Sequence, residues 1–233
     1  MRCIVTGGAG FIGSNLVDKL IDEGHEVIIF DNYSTGKKEN INPNAKFFLV
    51  DIAHQPYFET DTMKDIMSGV DVVFHLAALA RVQPSIENPI EYHNTNINGT
   101  LNMLDACRKY GVKRFVFSSS SSVYGDVREE NLPTSENSEL NPMSPYALHK
   151  LVGEQYCKLY SELYQLETVS LRYFNVYGER QPIEGAYTLV MGVFAQQRLN
   201  GEKMTIRGDG EQRRDFTYVG VVVDANLKCL VFP

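Results

Sequence analysis

Gly7, Gly10 and Gly13 follow the apolar run Arg2–Thr6 at once and open a helix-like stretch, and no other feature restricts the fold of this chain so strongly. Glycines there permit a tight turn out of a strand and close approach of the backbone to a ligand. The helix start beyond them offers unpaired N–H groups and a positive dipole end to a pyrophosphate. The spacing is G-x-x-G-x-x-G, and a glycine-rich turn with no ligand is the alternative reading.

Apolar runs of strand length recur at Arg2–Thr6, Glu26–Asp31, 46–50, 71–76, 113–118 and 168–172. Several are β-branched and apolar throughout, as strands buried on both faces should be. Helical patterns lie between them: 11–23, ending at Gly24, and 94–110, with Ile97, Leu101, Leu104 and Cys107 on one face before Gly111. Parallel neighbours need crossovers rather than hairpins, so this alternation predicts a doubly wound parallel α/β sheet. After Arg172 the pattern loosens into segments at 178–185, Gly201 and 208–210, which predicts a smaller, loop-rich lobe.

Charge narrows the function. Against 29 Asp and Glu stand 22 Lys and Arg, a formal net charge of −7, so the clustered cations that neutralise nucleic-acid phosphates are not present. No apolar stretch approaches the roughly 20 residues of a membrane span, and no signal-peptide pattern precedes Ile4 and Val5, which predicts a cytoplasmic protein. Cys3, Cys107, Cys157 and Cys229 are scattered, and the five histidines fall at no ligand or triad spacing, so no metal is expected.

Asp31 ends the second strand 18 residues after Gly13. A carboxylate there can accept both hydroxyls of an adenosine ribose and repel a 2′-phosphate, which favours NAD over NADP. A turn-capping aspartate is the other reading, and Asp51, after the third strand, has the same two. The stretch from Ser144 to Lys150 reads as a helix start, with Ser144 capping and Pro145 in the first turn, so that Tyr146 and Lys150 share one face. A phenol with a pKa of about 10 acts as a base near neutrality only where positive charge favours its phenolate; a nearby ammonium and a nicotinamide cation can do so, and Lys150 is the ammonium at hand. An ordinary surface Tyr and Lys is the alternative. Ser118 to Ser122 end a strand at the edge where ligands of open α/β sheets collect, either to bond a reacting sugar oxygen or as a flexible serine loop.

T-G-G-A-G-F-I-G at 6–13, S-S-S-S-S-V-Y-G at 118–125, S-P-Y-A-L-H-K at 144–150 and R-Y-F-N-V-Y-G at 172–178 together resemble the extended short-chain dehydrogenase/reductase family. Within it the chain looks most like the nucleotide-sugar 4-epimerases of the UDP-glucose and UDP-N-acetylglucosamine type. The resemblance implies a Rossmann-like fold, with residues 1–172 as the NAD-binding domain carrying the catalytic Ser, Tyr and Lys, and 173–233 as a partial substrate lobe. It implies Tyr146 as catalytic base, Lys150 on the nicotinamide ribose and lowering the tyrosine pKa, and Ser120 bridging phenol and sugar hydroxyl, with Ser122 also facing the sugar. NAD contacts carry over to Gly7, Gly10, Phe11, Ile12, Gly13, Asp31, Asn32, Asp51, Ile52, Leu76, Ala77, Ala78, Thr95, Ser118 and Tyr173, alongside Tyr146 and Lys150. Asn175 and Arg214 would hold the diphosphate of a UDP-sugar.

Such a family oxidises the sugar C4 hydroxyl to a ketone, turns the ketose over and returns the hydride to the other face. Its 4,6-dehydratases typically carry an Asp-Glu pair just after the catalytic hydroxyl residue, and its decarboxylases a glutamate, where this chain has Ser121 and Ser122; serine hydroxyls replace a carboxyl poorly in elimination. The resemblance also implies a homodimer through 94–110 and Pro145–Tyr164, which Leu148, Val152, Tyr156 and Leu159 could support. Two departures stand out: Gly220 and Val221 replace a customary acidic pair, and family members run on past residue 233. The apolar helix from Val219 is thus expected to be truncated, its face exposed or buried on a partner, the sugar site open to water and turnover poor. A non-catalytic NAD-binding remnant or partner subunit is the reading from another class.

Overall fold

The computed structural model describes residues 1–182, 190–206 and 208–231. Strands β1 (Arg2–Thr6), β2 (Glu26–Asp31), β3 (Lys46–Leu49), β4 (Val72–His75), β5 (Arg114–Ser120) and β6 (Glu167–Tyr173) form one parallel sheet in the order β3-β2-β1-β4-β5-β6. The order reverses between β1 and β4, and ligands of open α/β sheets bind outside the strand ends at such a point. The helices are α1 (Phe11–Asp22), α2 (Asp61–Met67), α3 (Val82–Glu87), α4 (Pro89–His93), α5 (Gly99–Tyr110), α6 (Pro145–Tyr164), α7 (Val190–Leu199) and α8 (Val219–Lys228). A second, two-stranded parallel sheet pairs β7 (Val176–Tyr177) with β8 (Thr217–Tyr218).

Side chains alternate across the large sheet into two cores. Ile4, Ile28, Phe30, Val73, Phe115 and Phe117 meet Met63, Met103, Leu104 and Cys157 of α2, α5 and α6 on one face. Cys3, Val5, Val27, Ile29, Phe74 and Val116 meet Leu16, Val17, Val219 and Val222 of α1 and α8 on the other. Because both faces are covered at the centre of the sheet, β1, β2 and β4 are apolar at nearly every position and lack a polar side.

The helix expected over 94–110 is part of a longer rod. Helical backbone runs from Pro89 to Tyr110, with a π-helical turn at Asn94–Asn98 between α4 and α5. Across that turn the buried apolar positions Tyr92 and Ile97 lie five residues apart, the spacing of a π-helical turn.

The expectation for the helix from Val219 is corrected. Val219, Val222 and Val223 of α8 pack in one core with Leu16, Val17 and Leu20 of α1, and only its outer side, with Val221 at 58% exposed, faces solvent. The cover comes from the first helix of the chain, which sequence neighbourhood could not reveal. Asn15 Nδ2 donates to Glu179 O at 3.0 Å and Arg180 pairs with Asp18 at 2.5 Å, fastening the chain beyond β7 to the same helix. At the departure from the family pattern, a Cβ on Gly220 would lie 2.7 Å from the Tyr218 ring, whose hydroxyl donates to Glu179. Gly185, Phe232 and Pro233 lie outside the described residues.

Helix α6 rests so closely on β5 that a Cβ on Gly153 would overlap the buried Phe117 ring. Gly153→Ala is expected to destabilise the fold by about 1–3 kcal/mol through overpacking. Urea denaturation checks this as a lower midpoint at constant m; an unchanged midpoint would mean that the helix has room to spare.

Candidate active site

The glycine turn is needed by the fold before any ligand is considered. Gly7 sits at φ +71°, where a Cβ would come within 2.8 Å of Ala77 N, and a Cβ on Gly13 would overlap Gly7 O. Gly10 is the N-cap of α1, with no side-chain cap and no acidic residue in the first turn, which leaves the N–H groups at Phe11, Ile12 and Gly13 to an anion. The free N–H groups of this helix start suit a pyrophosphate, and the glycines let the turn close against Ala77 and Gly7 beneath it.

Asp31 is buried beside this turn. Its Oδ2 accepts Ala9 N–H at 3.0 Å and its Oδ1 accepts Tyr33 N–H at 2.7 Å, so the capping reading is realised, and further lone pairs suit ribose hydroxyls. Asp51 likewise caps its own turn, Oδ1 accepting Ala53 N–H at 2.9 Å. A cavity of about 740 Å³ gathers Asn32, Ser34, Asp51, Leu79 and Thr95, three of them expected cofactor contacts. Ile52 lies beneath, where a Cβ on Gly99 would meet its Cδ1 at 2.7 Å.

Leu76, Ala77 and Ala78 follow β4 and are held by a buried polar relay. Ala77 N–H donates to Thr6 Oγ1 at 3.1 Å, Thr6 Oγ1 bonds His75 Nδ1 at 2.9 Å, and His75 Nε2 bonds Thr100 Oγ1 at 3.0 Å. Thr100 gives its own proton to Asn96 O at 2.7 Å, so it can only accept from His75, and the ring is the neutral Nε2–H tautomer. Burial pushes the His75 pKa down to about 3, with the Lys150 charge adding to the shift. Asn96 then takes Leu79 at both ends, accepting its N–H at 2.8 Å and donating to its carbonyl at 2.9 Å, while Tyr92 Oη donates to Ala80 O at 2.8 Å.

Tyr146 is placed by two serines. Ser144 Oγ accepts Ala147 N–H at 3.1 Å, Pro145 has no N–H to satisfy, and Tyr146 N–H reaches Ser85 Oγ at 3.1 Å. Ser85, fully buried on α3, thus completes the helix cap from 61 residues away; no local signal in the sequence marks it. One turn on, Lys150 is 5% exposed, its Nζ donating to Ser118 O at 2.6 Å and lying 5.0 Å from the Phe117 ring centre and 5.9 Å from that of Tyr146. Ser120 Oγ accepts both Ser122 N–H at 3.2 Å and Ser122 Oγ–H at 2.9 Å, which leaves its own proton for the Tyr146 phenol.

Electrostatics correct one expectation. Burial pushes the Tyr146 phenol above its usual range; the Ser120 hydrogen bond opposes this and nearby Tyr92 adds to it. Lys150, over the ring rather than at the hydroxyl and itself pulled down to about 8 by burial, does not reverse the balance. The chain alone holds a neutral phenol, and a phenolate needs further positive charge beside it.

Ser118 and Tyr173 meet as a pair, Ser118 Oγ bonding Tyr173 Oη at 3.2 Å, and Asn226 Nδ2 of α8 donates to the same phenol at 2.8 Å. Burial pushes the Tyr173 pKa up to about 12. Asn175 Nδ2 donates to Asp215 O at 2.8 Å, beside exposed Arg214, whose Nη1 donates to Arg213 O at 2.6 Å. The structure brings these two segments together without aiming the guanidinium at the Tyr146 cluster. No group of three or more potential metal ligands occurs among the described residues, and none of their helices is long and apolar enough to cross a membrane.

A sheet wound outward from a switch point, a glycine cradle at that point and a Tyr–Lys helix packed on the neighbouring strand end define an extended short-chain dehydrogenase/reductase. Residues 3–233 match the NAD dependent epimerase/dehydratase family, and the chain belongs to it. Among solved structures it is similar to the UDP-glucose 4-epimerase of Thermotoga maritima with UDP-glucose, at 43% identity and a TM-score of 0.93, covering 99% of this chain and 74% of that one. It is similar to the UDP-N-acetylglucosamine 4-epimerase of Methanobrevibacter ruminantium in complex with UDP-N-acetylmuramic acid, at 43% identity and a TM-score of 0.90, covering 97% and 71%. A UDP-N-acetyl-α-D-glucosaminuronate decarboxylase of Bacillus cytotoxicus is 37% identical over 238 residues, 98% of this chain and 71% of that protein.

Lys150 makes stability depend on pH in a definite direction. Its folded pKa of about 8 lies below its usual 10.5, so between these values the unfolded chain binds the extra proton and stability rises with pH. Relative to Lys150→Met, the wild type is expected to gain up to about 3 kcal/mol from pH 8 to 10.5. Parallel denaturation curves for the two proteins across that window would show the ammonium to be better solvated than its burial indicates.

Proposed function

We propose that this chain epimerises a UDP-sugar at C4, with Tyr146 taking the C4 hydroxyl proton and Ser120 orienting that hydroxyl. The observation that carries this reading is the loading of Ser120 Oγ by two donors from Ser122, which turns the one remaining proton toward the Tyr146 phenol. Bound NAD would supply a reversible hydride acceptor for the sugar C4–H bond and, when oxidised, the positive charge that the phenol lacks in the chain alone. Tyr146 removes the proton as the ketone forms and returns it as the hydroxyl is restored on the other face. Ser120 gives its one free proton to the phenol in the chain alone and would share it with the sugar oxygen once substrate enters, and Lys150, fixed on Ser118 O, holds the nicotinamide ribose. No net redox change results.

Elimination or decarboxylation fits less well. Ser121 and Ser122 offer no carboxyl next to Ser120, and Glu154, at the neighbouring Ser119, is committed to an ion pair with Arg172 at 2.7 Å. For the cofactor, Gly7, Gly10, Phe11, Ile12 and Gly13 take the pyrophosphate. Asp31 and Asn32 take the adenosine ribose, and Asp51, Ile52 and Thr95 the adenine end. Leu76, Ala77, Ala78, Ser118 and Tyr173 take the nicotinamide half. Ser122 faces the sugar, while Asn175 and Arg214 hold the diphosphate. Residues 1–172 form the cofactor domain and 173–233 the substrate lobe, in a cytoplasmic enzyme. Leu148 and Leu159 of α6, 48% and 46% exposed, support a homodimer through α5 and α6, whereas Tyr156 packs partly against the core. A monomeric mass at high micromolar concentration counts against that pairing.

The test is a panel of UDP-glucose, UDP-N-acetylglucosamine and UDP-glucuronate, with products followed by NMR. One of them is expected to equilibrate with its C4 epimer, and inertness of all three means that the chain is a cofactor-binding relative without turnover. Tyr146→Phe should lower the rate by about 10²- to 10⁴-fold while NAD affinity by calorimetry stays near that of the wild type. Near-normal turnover in that variant removes Tyr146 as the base. NADP should bind both proteins more weakly than NAD, because Asp31 meets the 2′-phosphate with like charge.

A further inference from the structure

We propose that the partly buried Arg172–Glu154 ion pair is a positioning group: it aims the Ser120 hydroxyl at Tyr146 by fixing the strand end and the turn on either side of it. This rests on the roles given to Tyr146 and Ser120 above. Arg172 stands beside Ser119 in the β5–β6 register, and Glu154 lies on α6 one turn beyond Lys150. Arg172 Nε and Nη2 donate to Glu154 Oε1 and Oε2 at 2.9 and 2.7 Å, a fork-on-fork pair whose side chains are 19% and 9% exposed. Glu154 Oε1 also accepts Ser119 Oγ–H at 2.5 Å. Helix α6 therefore grips three successive residues of β5: Lys150 holds Ser118 O, Glu154 holds Ser119 Oγ, and Tyr146 faces Ser120.

The guanidinium also reaches forward. Its Nη1 donates to Tyr124 Oη at 2.8 Å and to Glu136 O at 3.0 Å, and its carbon lies 4.9 Å over the Tyr124 ring. Tyr124 closes the 3₁₀ turn Ser121–Tyr124, and that turn carries Ser122, whose N–H and hydroxyl both bond Ser120 Oγ. One cation thus fixes the strand before Ser120 through Glu154 and the turn after it through Tyr124. A buried ion pair adds little net stability over apolar side chains of similar volume. Its planar, directional bonds supply something apolar packing does not, a set direction for the Ser120 proton.

The test is the double variant Glu154→Gln/Arg172→Met, which removes both charges together and leaves neither buried alone. Tyr124→Phe, which removes one hydroxyl, takes the same measurements should the double variant not fold. On the full chain, the melting temperature, NAD dissociation constant, kcat, KM and pH profile of UDP-sugar turnover are measured. NAD affinity is expected to hold while kcat falls about tenfold or more. The apparent pKa of the Tyr146 base is expected to rise, because Ser120 no longer donates to it squarely. A loss of melting temperature with kcat and pH profile unmoved makes the pair a structural brace and overturns the proposal. If the wild type turns over no UDP-sugar, the proposed function fails, and the positioning is read instead from carbon-13-labelled tyrosine NMR. There an upward shift of the Tyr146 titration in the variants sustains the proposal, and an unshifted titration overturns it.

Discussion

An ammonium almost wholly withdrawn from water imposes terms on everything around it. Lys150 keeps a hydrogen bond to Ser118 O and the face of Phe117, and both depend on α6 lying against β5 without a side chain at Gly153 between them. The close approach brings Tyr146 to Ser120 in the same step, since one rigid helix carries both residues four positions apart. The cost of desolvating the charge appears as its lowered pKa, and the site is built on that cost rather than in spite of it. The sheet edge, the serines and the tyrosine are thus consequences of a single helix-to-strand contact.

Much of this was open to reading from residue types alone. The six strands stand where the apolar runs lie; in the central β1, β2 and β4 this is because strands buried on both faces need apolar side chains at nearly every position. Ser144 and Pro145 start α6 as their local chemistry requires. What escaped was non-local. Ser85 caps a helix 61 residues away, and the Thr6–His75 bond spans 69. Neither has a pattern that a window of sequence could hold. The face of α8 found its cover on α1, an element separated by most of the chain. The direction of the Tyr146 shift also escaped, because a Tyr and a Lys on one helix face can meet hydroxyl to ammonium or ring to ammonium.

The proposed division into a cofactor half and a substrate half is mechanically less clean than the chain order suggests. Asn226 of α8 donates to Tyr173, Tyr173 bonds Ser118, and Ser118 O carries Lys150. The last described helix therefore ends in the same hydrogen-bonded chain as the buried ammonium. The lobe is tied to the strand ends by polar bonds as well as by apolar packing on α1.

The Thr6–His75–Thr100 relay has a further consequence. A ring whose two nitrogens are satisfied in a single tautomer cannot rotate without breaking a bond at each end, nor take up a proton on Nδ1 without losing the bond that Thr6 donates. With its pKa at about 3, the mounting of the Ala77 loop is indifferent to the acidity of its surroundings over the whole physiological range. Histidine usually serves proteins as a sensor. At this position it works as a fixed bridge, joining β1 to α5 through Thr6 and Thr100 in one neutral tautomer.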